Sequence, residues 1–80
     1  MRIDKYLKVS RIIKRRTIAQ EACDKGRVLI NGKIAKPGSV VQVGDIIEIN
    51  FASNSAKYEI LDVKEHAKKE ETSLMYRIVE

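Results

Sequence analysis

Gly26-Arg-Val-Leu-Ile-Asn-Gly32 is the stretch at which the chain changes period. Before Gly26 the apolar residues recur at helical spacing, and Gly26 itself suits the left-handed position that closes a helix. From Arg27 the period becomes two: Val28 and Ile30 alternate with Leu29. Asn31-Gly32 then supplies a strong short-range hairpin signal, because both central positions of a tight two-residue turn require positive φ. The segment therefore predicts helices before it and antiparallel strands after it.

Working back, Thr17-Ile-Ala-Gln20 matches a capping box, with Thr17 as the cap and Gln20 reaching back. It predicts a second helix running to about Lys25. The pairs Ile18/Ala22 and Ala19/Cys23 give it a narrow face of small residues for close packing. Cys23 reads as a buried small apolar residue. Further upstream, Ile3 and Leu7 stand four apart with Tyr6 beside them, predicting a first helix from about Ile3 to Val9. Asp4 sits near its positive end and is expected to pair with Lys8 one turn on. Ser10 to Arg16 forms a basic connector with Ile12 and Ile13 turned inward.

Working forward, Ile34 lies on the return strand of the hairpin, and Pro37-Gly38 breaks it. Val41-Gln-Val-Gly44-Asp45 leads into a second turn. Ile46 to Phe51 reads as a strand with Ile47 and Ile49 on one face. Ala52 to Ala56 is a small turn, and Tyr58, Ile60 and Val63 fit another strand. Residues 64–73, with His66 and Lys68-Lys-Glu-Glu71, read as an exposed loop, and Met75-Tyr-Arg-Ile-Val79 as an edge strand. The sum is one α+β domain over residues 1–80: two short helices packed on a small, mostly antiparallel sheet of four to five strands. Its motif-bearing core spans 1–51, with further strands and the loop in 52–80.

Charge divides the chain sharply. Residues 1–36 carry eleven Lys/Arg and three Asp/Glu, for +8, whereas residues 37–80 carry five and eight, for −3. Seven of the fifteen residues from Arg2 to Arg16 are cationic: Arg2, Lys5, Lys8, Arg11, Lys14, Arg15 and Arg16. Clustering of this kind marks a polyanion-facing surface. An anionic membrane is a poorer fit, since the apolar stripe is short and has no Trp or Phe to insert. No apolar run reaches the roughly 18 residues of a membrane span, and the N-terminus has no signal-peptide pattern. A lone cysteine fits a reducing, cytoplasmic setting.

Catalytic chemistry finds no foothold. His66 is the single histidine and lies in a mixed-charge run, so it reads as a solvated side chain. There is no Gly-rich phosphate loop, no Cys/His metal cluster and no nucleophile with an orienting base, so neither a cofactor nor a metal is expected. A ubiquitin-like carrier would need a flexible Gly-Gly terminus, whereas this chain ends Ile78-Val-Glu80. A protein-interaction adaptor leaves the N-terminal charge unexplained. Arg and Lys neutralise phosphates, and Arg grips one bidentately. Aromatics are few (Tyr6, Phe51, Tyr58 and Tyr76). Tyr6 is either a base-stacking residue or part of the core, the core role being the better fit. The absence of a paired aromatic platform favours a structured RNA, read by shape, over an open strand.

Arg2-Ile-Asp4-x-x-Leu7, Ser10-Arg11, Arg15-Arg16-Thr17-x-Ala19, Gly26-x-Val28-x-Ile30-Asn31-Gly32 and Val41-x-x-Gly44-Asp45-x-Ile47, in this order, resemble the RNA-binding domain named for ribosomal protein S-four. The resemblance implies an αL-shaped pair of helices on a small sheet, with the helical face turned to structured RNA. As a short, free-standing version, the chain looks like the RqcP group of ribosome quality-control factors, relatives of the bacterial heat-shock ribosome-binding protein. Arg2 to Ala19 and Lys68-Lys-Glu-Glu-Thr-Ser-Leu-Met-Tyr76 carry that likeness. It departs from the heat-shock relatives in having a net acidic 52–80 segment where they carry a basic tail.

By this resemblance the chain is a non-catalytic factor. It would bind large-subunit rRNA and peptidyl-tRNA on a stalled large subunit, hold the tRNA between additions, and support template-free alanine tailing by a partner factor. It is expected to be a monomer off the ribosome and to bind no membrane. Arg2 and Arg16 coincide with motif positions and head the set of RNA-binding residues; Asp4 is expected to orient cations. The alternative is a free-standing RNA-binding domain in ribosome assembly or another structured-RNA role, with a protein-interaction adaptor the less favoured rival.

Overall fold

Two helices, α1 (Ile3–Val9) and α2 (Arg16–Asp24), precede five strands: β1 (Val28–Ile30), β2 (Lys33–Ile34), β3 (Ile46–Asn50), β4 (Ser55–Ile60) and β5 (Tyr76–Val79). The computed structural model, which describes residues 1–79, adds a 3-10 helix at Lys69–Leu74. The strands form one antiparallel sheet in the order β2-β1-β3-β4-β5. The α+β expectation holds, with five strands.

The apolar stripe of α1 decides how the helices sit. Ile3, Tyr6 and Leu7 are fully buried, against a core that includes Ala19 and Cys23 of α2 and Val28, Ile47, Ile49, Ile60 and Met75. Burying side chains of this size stabilises the fold by roughly 1.5–3 kcal/mol each. Tyr6 therefore belongs to the core, and the base-stacking alternative falls away. Its hydroxyl donates to the Met75 carbonyl oxygen at 2.7 Å. Tyr58 and Tyr76, diagonal neighbours on β4 and β5, meet edge to face with ring centroids 5.4 Å apart.

Backbone from a distant segment satisfies the first amides of α1. Ile3 N–H donates to the Ser39 carbonyl at 2.7 Å and Asp4 N–H to the Pro37 carbonyl at 3.3 Å. The Val41 amide in turn donates to the Met1 carbonyl at 2.9 Å. The loop that Pro37-Gly38 begins thus serves as the helix cap, where no side chain does.

The capping box expected at Thr17 does not form. Helix α2 starts two residues earlier than a Thr17 cap would place it, at Arg16, with Arg15 in the cap position and no side-chain cap bond. The Gln20 amide has a better acceptor, the carboxylate of Asp4. The other end closes as expected. Gly26 has φ +70°, its amide donates to the Cys23 carbonyl and that of Arg27 to the Ala22 carbonyl, the paired bonds of a Schellman cap. On the face of small residues Ala19 and Cys23 are buried, but Ile18 is half exposed beside Phe51 in an open apolar cleft of about 350 Å³. Burial raises the Cys23 thiol pKa to about 11, with Asp4 and Asp24 adding to the effect.

Asn31 and Gly32 both have positive φ, as a two-residue hairpin turn requires. Asn31 also staples the turn to β3: its carboxamide oxygen accepts the Ile46 amide at 2.9 Å, and its nitrogen donates to Asp45 at 3.0 Å. Four boundaries differ from expectation, the first being the start of β4 at Ser55, inside the expected 52–56 turn. Strand β3 ends at Asn50, and Phe51 begins the turn by donating its amide to the Asn54 carbonyl. Strand β4 ends at Ile60 because the Leu61 and Asp62 amides both turn onto the Met75 carbonyl, at 2.8 and 3.2 Å, leaving Val63 outside it. Part of the expected 64–73 loop is the 3-10 helix, started by the Glu71 carboxylate accepting the Lys68 amide at 2.9 Å.

Candidate nucleic-acid interface

Asp4 is the geometric centre of the basic N-terminal region. It projects from the first turn of α1, is fully buried, and gathers donors from both helices. One carboxylate oxygen accepts Arg2 Nε at 3.2 Å, the Lys5 amide at 2.8 Å and Arg16 Nη2 at 3.4 Å. The other accepts Arg2 Nη2 at 3.2 Å and Gln20 Nε2 at 3.0 Å. Arg16 Nε is 3.3 Å from that second oxygen, yet it is buried and has no aligned acceptor. The contact is thus one of charge rather than a well-formed hydrogen bond. The expected Asp4–Lys8 pair is absent, because Asp4 faces α2 rather than running along its own helix.

Burial pushes the Asp4 pKa up, but the bonds from Gln20, Arg16 and the Lys5 amide outweigh it and hold the carboxyl below its ordinary range. Two guanidiniums against one carboxylate leave a net charge of +1. The arginine side chains remain 53% and 42% exposed. Their bonds to Asp4 are longer than the 2.7–2.9 Å or so of tight charge-assisted pairs. Asp4 therefore aims both guanidiniums without saturating them. Gly38 lies under the Arg2 guanidinium, and a side chain added there would touch it at 3.9 Å.

The other cations are distributed along and after α1. Arg2, Lys5 and Lys8 stand three apart, roughly 4.5 Å of helix rise per step. Lys5 is ion-paired with Glu65, a contact that spans sixty residues of sequence and that sequence reasoning missed. Lys8 and Arg11 are exposed at the end of α1 and line an open polar cleft of about 140 Å³ with Val9, Glu65, His66 and Ala67. Arg11 has φ +64°, a left-handed conformation costly for any residue with a side chain. Lys14 and Arg15 are exposed in the connector; like Lys8 and Arg11, they form no ion pair among the described residues.

Sequence reasoning thus missed the role of Gln20, whereas His66 is exposed, as expected, and lines the polar cleft. An acid on the same side of α1 as Leu7 was the available signal that a buried partner set awaited Asp4. Nothing in the sequence linked His66 to Lys8. Among the described residues no group of His, Cys, Asp and Glu could hold a metal ion, and no helix is long and apolar enough to cross a membrane.

Comparison with known proteins follows the same lines. Residues 1–47 match the S4 domain. The RQC P-site tRNA stabilizing factor of Halalkalibacterium halodurans is 51% identical over 78 residues, covering 98% of this chain and 89% of that one. The protein of the same name from Bacillus subtilis is 47% identical over 79 residues, covering 99% and 92%. Among solved structures, the heat shock protein 15 of Vibrio cholerae superposes with a TM-score of 0.89 at 28% identity, covering 99% of this chain and 81% of that one. The chain belongs to the S4-domain family and, within it, to the RQC P-site tRNA stabilizing factors.

Proposed function

We propose that this protein is a non-catalytic RNA-binding factor of ribosome-associated quality control. On this reading it acts in the cytoplasm on a large ribosomal subunit obstructed by peptidyl-tRNA. It contacts large-subunit rRNA and the tRNA, steadies the tRNA in the P site, and so supports alanine tailing of the stalled chain by a partner factor. The relatives' shared name supports the tRNA-stabilizing part directly.

The observation that carries the proposal is the pair of half-exposed guanidiniums of Arg2 and Arg16, aimed by one buried carboxylate. Planar, bidentate donors suit phosphate oxygens, and holding them in place in advance reduces the entropy lost on binding. Lys8, Lys14, Arg15 and Arg11 extend the charge for a backbone read by shape. Lys5 joins them while Glu65 tempers its charge.

Binding of Arg16→Ala to large subunits carrying peptidyl-tRNA tests the reading. The variant should fold and bind more weakly. The slope of log K against log salt should shrink by roughly 0.9, the duplex-DNA value, for each phosphate that the variant no longer neutralises. Undiminished binding at physiological salt would place the RNA-contacting surface elsewhere. Co-sedimentation of the parent with precursor subunits, rather than with obstructed ones, would indicate assembly instead.

A further inference from the structure

The polar cleft between the end of α1 and the 65–67 segment lies outside the Asp4 cluster and is walled partly by residues beyond the S4 match. We propose that it is a subsite for one RNA phosphate, held by Lys8, Arg11 and His66, and that protonation of His66 strengthens the grip. This rests on the RNA-binding reading above and extends it to the second half of the chain.

Size and charge both fit. About 140 Å³ is well above what a single water needs and suits a tetrahedral oxyanion. Lys8 and Arg11 supply two cations that no carboxylate neutralises among the described residues. Glu65, the one acid on the lining, is turned to Lys5, and that ion pair keeps its carboxyl ionised below the ordinary range. The pair also links the 65–67 segment to α1, which sets the His66 side of the cleft beside the Lys8 and Arg11 side.

The backbone points the same way. Arg11 occupies a left-handed position that glycine or asparagine would fill at less cost. Strain of this kind persists where the surroundings over-determine it, and it collects at ligand sites. A glycine would leave the chain path intact and remove a cation from the cleft.

His66 makes the subsite pH-sensitive. The charged groups that face it are Lys8 and Arg11 from the end of α1 and Glu65 beside it. A phosphate bound in the cleft gains a further cationic donor when the imidazole carries its second proton. Binding and protonation are therefore coupled reciprocally, so affinity should rise as pH falls through the neutral range.

The test is the affinity of the full chain for large subunits carrying peptidyl-tRNA, at about pH 8 and about pH 6 and constant salt, for the parent and His66→Gln. His66 is exposed, so the variant should fold as the parent does, which circular dichroism checks. The parent should tighten by roughly three- to tenfold toward the lower pH, as one charge-assisted hydrogen bond allows, while His66→Gln responds less or not at all. Equal pH responses from the two chains, or no response from either, would overturn the subsite and leave the subunit-binding role standing. A parent chain that fails to bind the subunits at both pH values would overturn both.

Discussion

The Tyr6 hydroxyl and the Met75 carbonyl oxygen, 2.7 Å apart in the core, join the first helix to the entrance of the last strand. The same carbonyl also accepts the Leu61 and Asp62 amides. Tyr6→Phe should therefore cost only about 1 kcal/mol, because the oxygen keeps two donors and no buried acceptor is orphaned. Tyr6→Ala, which opens a cavity where a fully buried ring stood, should cost about 3–5 kcal/mol. Urea denaturation of the two variants measures both values. Equal destabilisation by the two would mean that the hydroxyl, not the ring, holds these elements together.

Asp4→Asn keeps the shape of the side chain and removes the charge. Two guanidiniums then face each other without a counter-ion, though each is exposed enough to turn toward water. That escape limits the expected loss of stability to about 1–3 kcal/mol, less than for a fully buried pair. RNA affinity should fall as well, even though the net charge rises by one, because Arg2 and Arg16 lose their orientation. A variant that bound RNA more tightly would show that charge alone, rather than placement, governs binding.

The protonation of Asp4 gives a third expectation. Its carboxyl is held below the ordinary 3.8, so the folded state binds that proton less readily than the unfolded state. Its contribution is fully present above the unfolded value and is lost as pH falls through the lower folded value. Stability measured by denaturant titration should decline as pH drops below about 4, and Asp4→Asn should flatten that part of the profile. Glu65 and Glu71 are shifted the same way but lie at the surface, where salt screens them. Repeating the profile at high salt separates them from Asp4.

Arg11→Gly should stabilise the fold and weaken RNA binding at once. Relief of the left-handed backbone gains about 1–2 kcal/mol, reduced by the extra freedom of glycine in the unfolded chain. Thermal unfolding and subunit affinity, measured on the same preparation, should move in opposite directions. A destabilised Arg11→Gly would mean that the side chain, not the backbone, holds the turn.

Local signals in the sequence carried much of the fold. The stripe of Ile3, Tyr6 and Leu7 marked α1, Gly26 the end of α2, and Asn31-Gly32 the hairpin. What sequence reasoning misassigned depends on partners far along the chain. Thr17 and Gln20 satisfy the capping-box pattern, but Gln20 finds a carboxylate sixteen residues back that a local pattern does not represent. Val63 fits the alternation of β4, yet the strand ends where the Met75 carbonyl draws two consecutive amides. The basic cluster of the candidate site was visible in composition. Its arrangement was not, because Arg2, Arg16 and Gln20 converge only when α2 packs across α1.

The backbone pairing of Met1–Asp4 with the 37–41 segment also has a kinetic meaning. Arg2 reaches its final place only after the 37–41 segment has paired with its neighbours Met1, Ile3 and Asp4, and Tyr6 waits for Met75. Long-range closures of this kind come late, because the entropy of a large loop must be lost before any contact offsets it. During synthesis the basic stretch would emerge ahead of both partner segments and stay unclamped until they had followed. Arg2, among the first of these residues to be made, is thus among the last to be held in place.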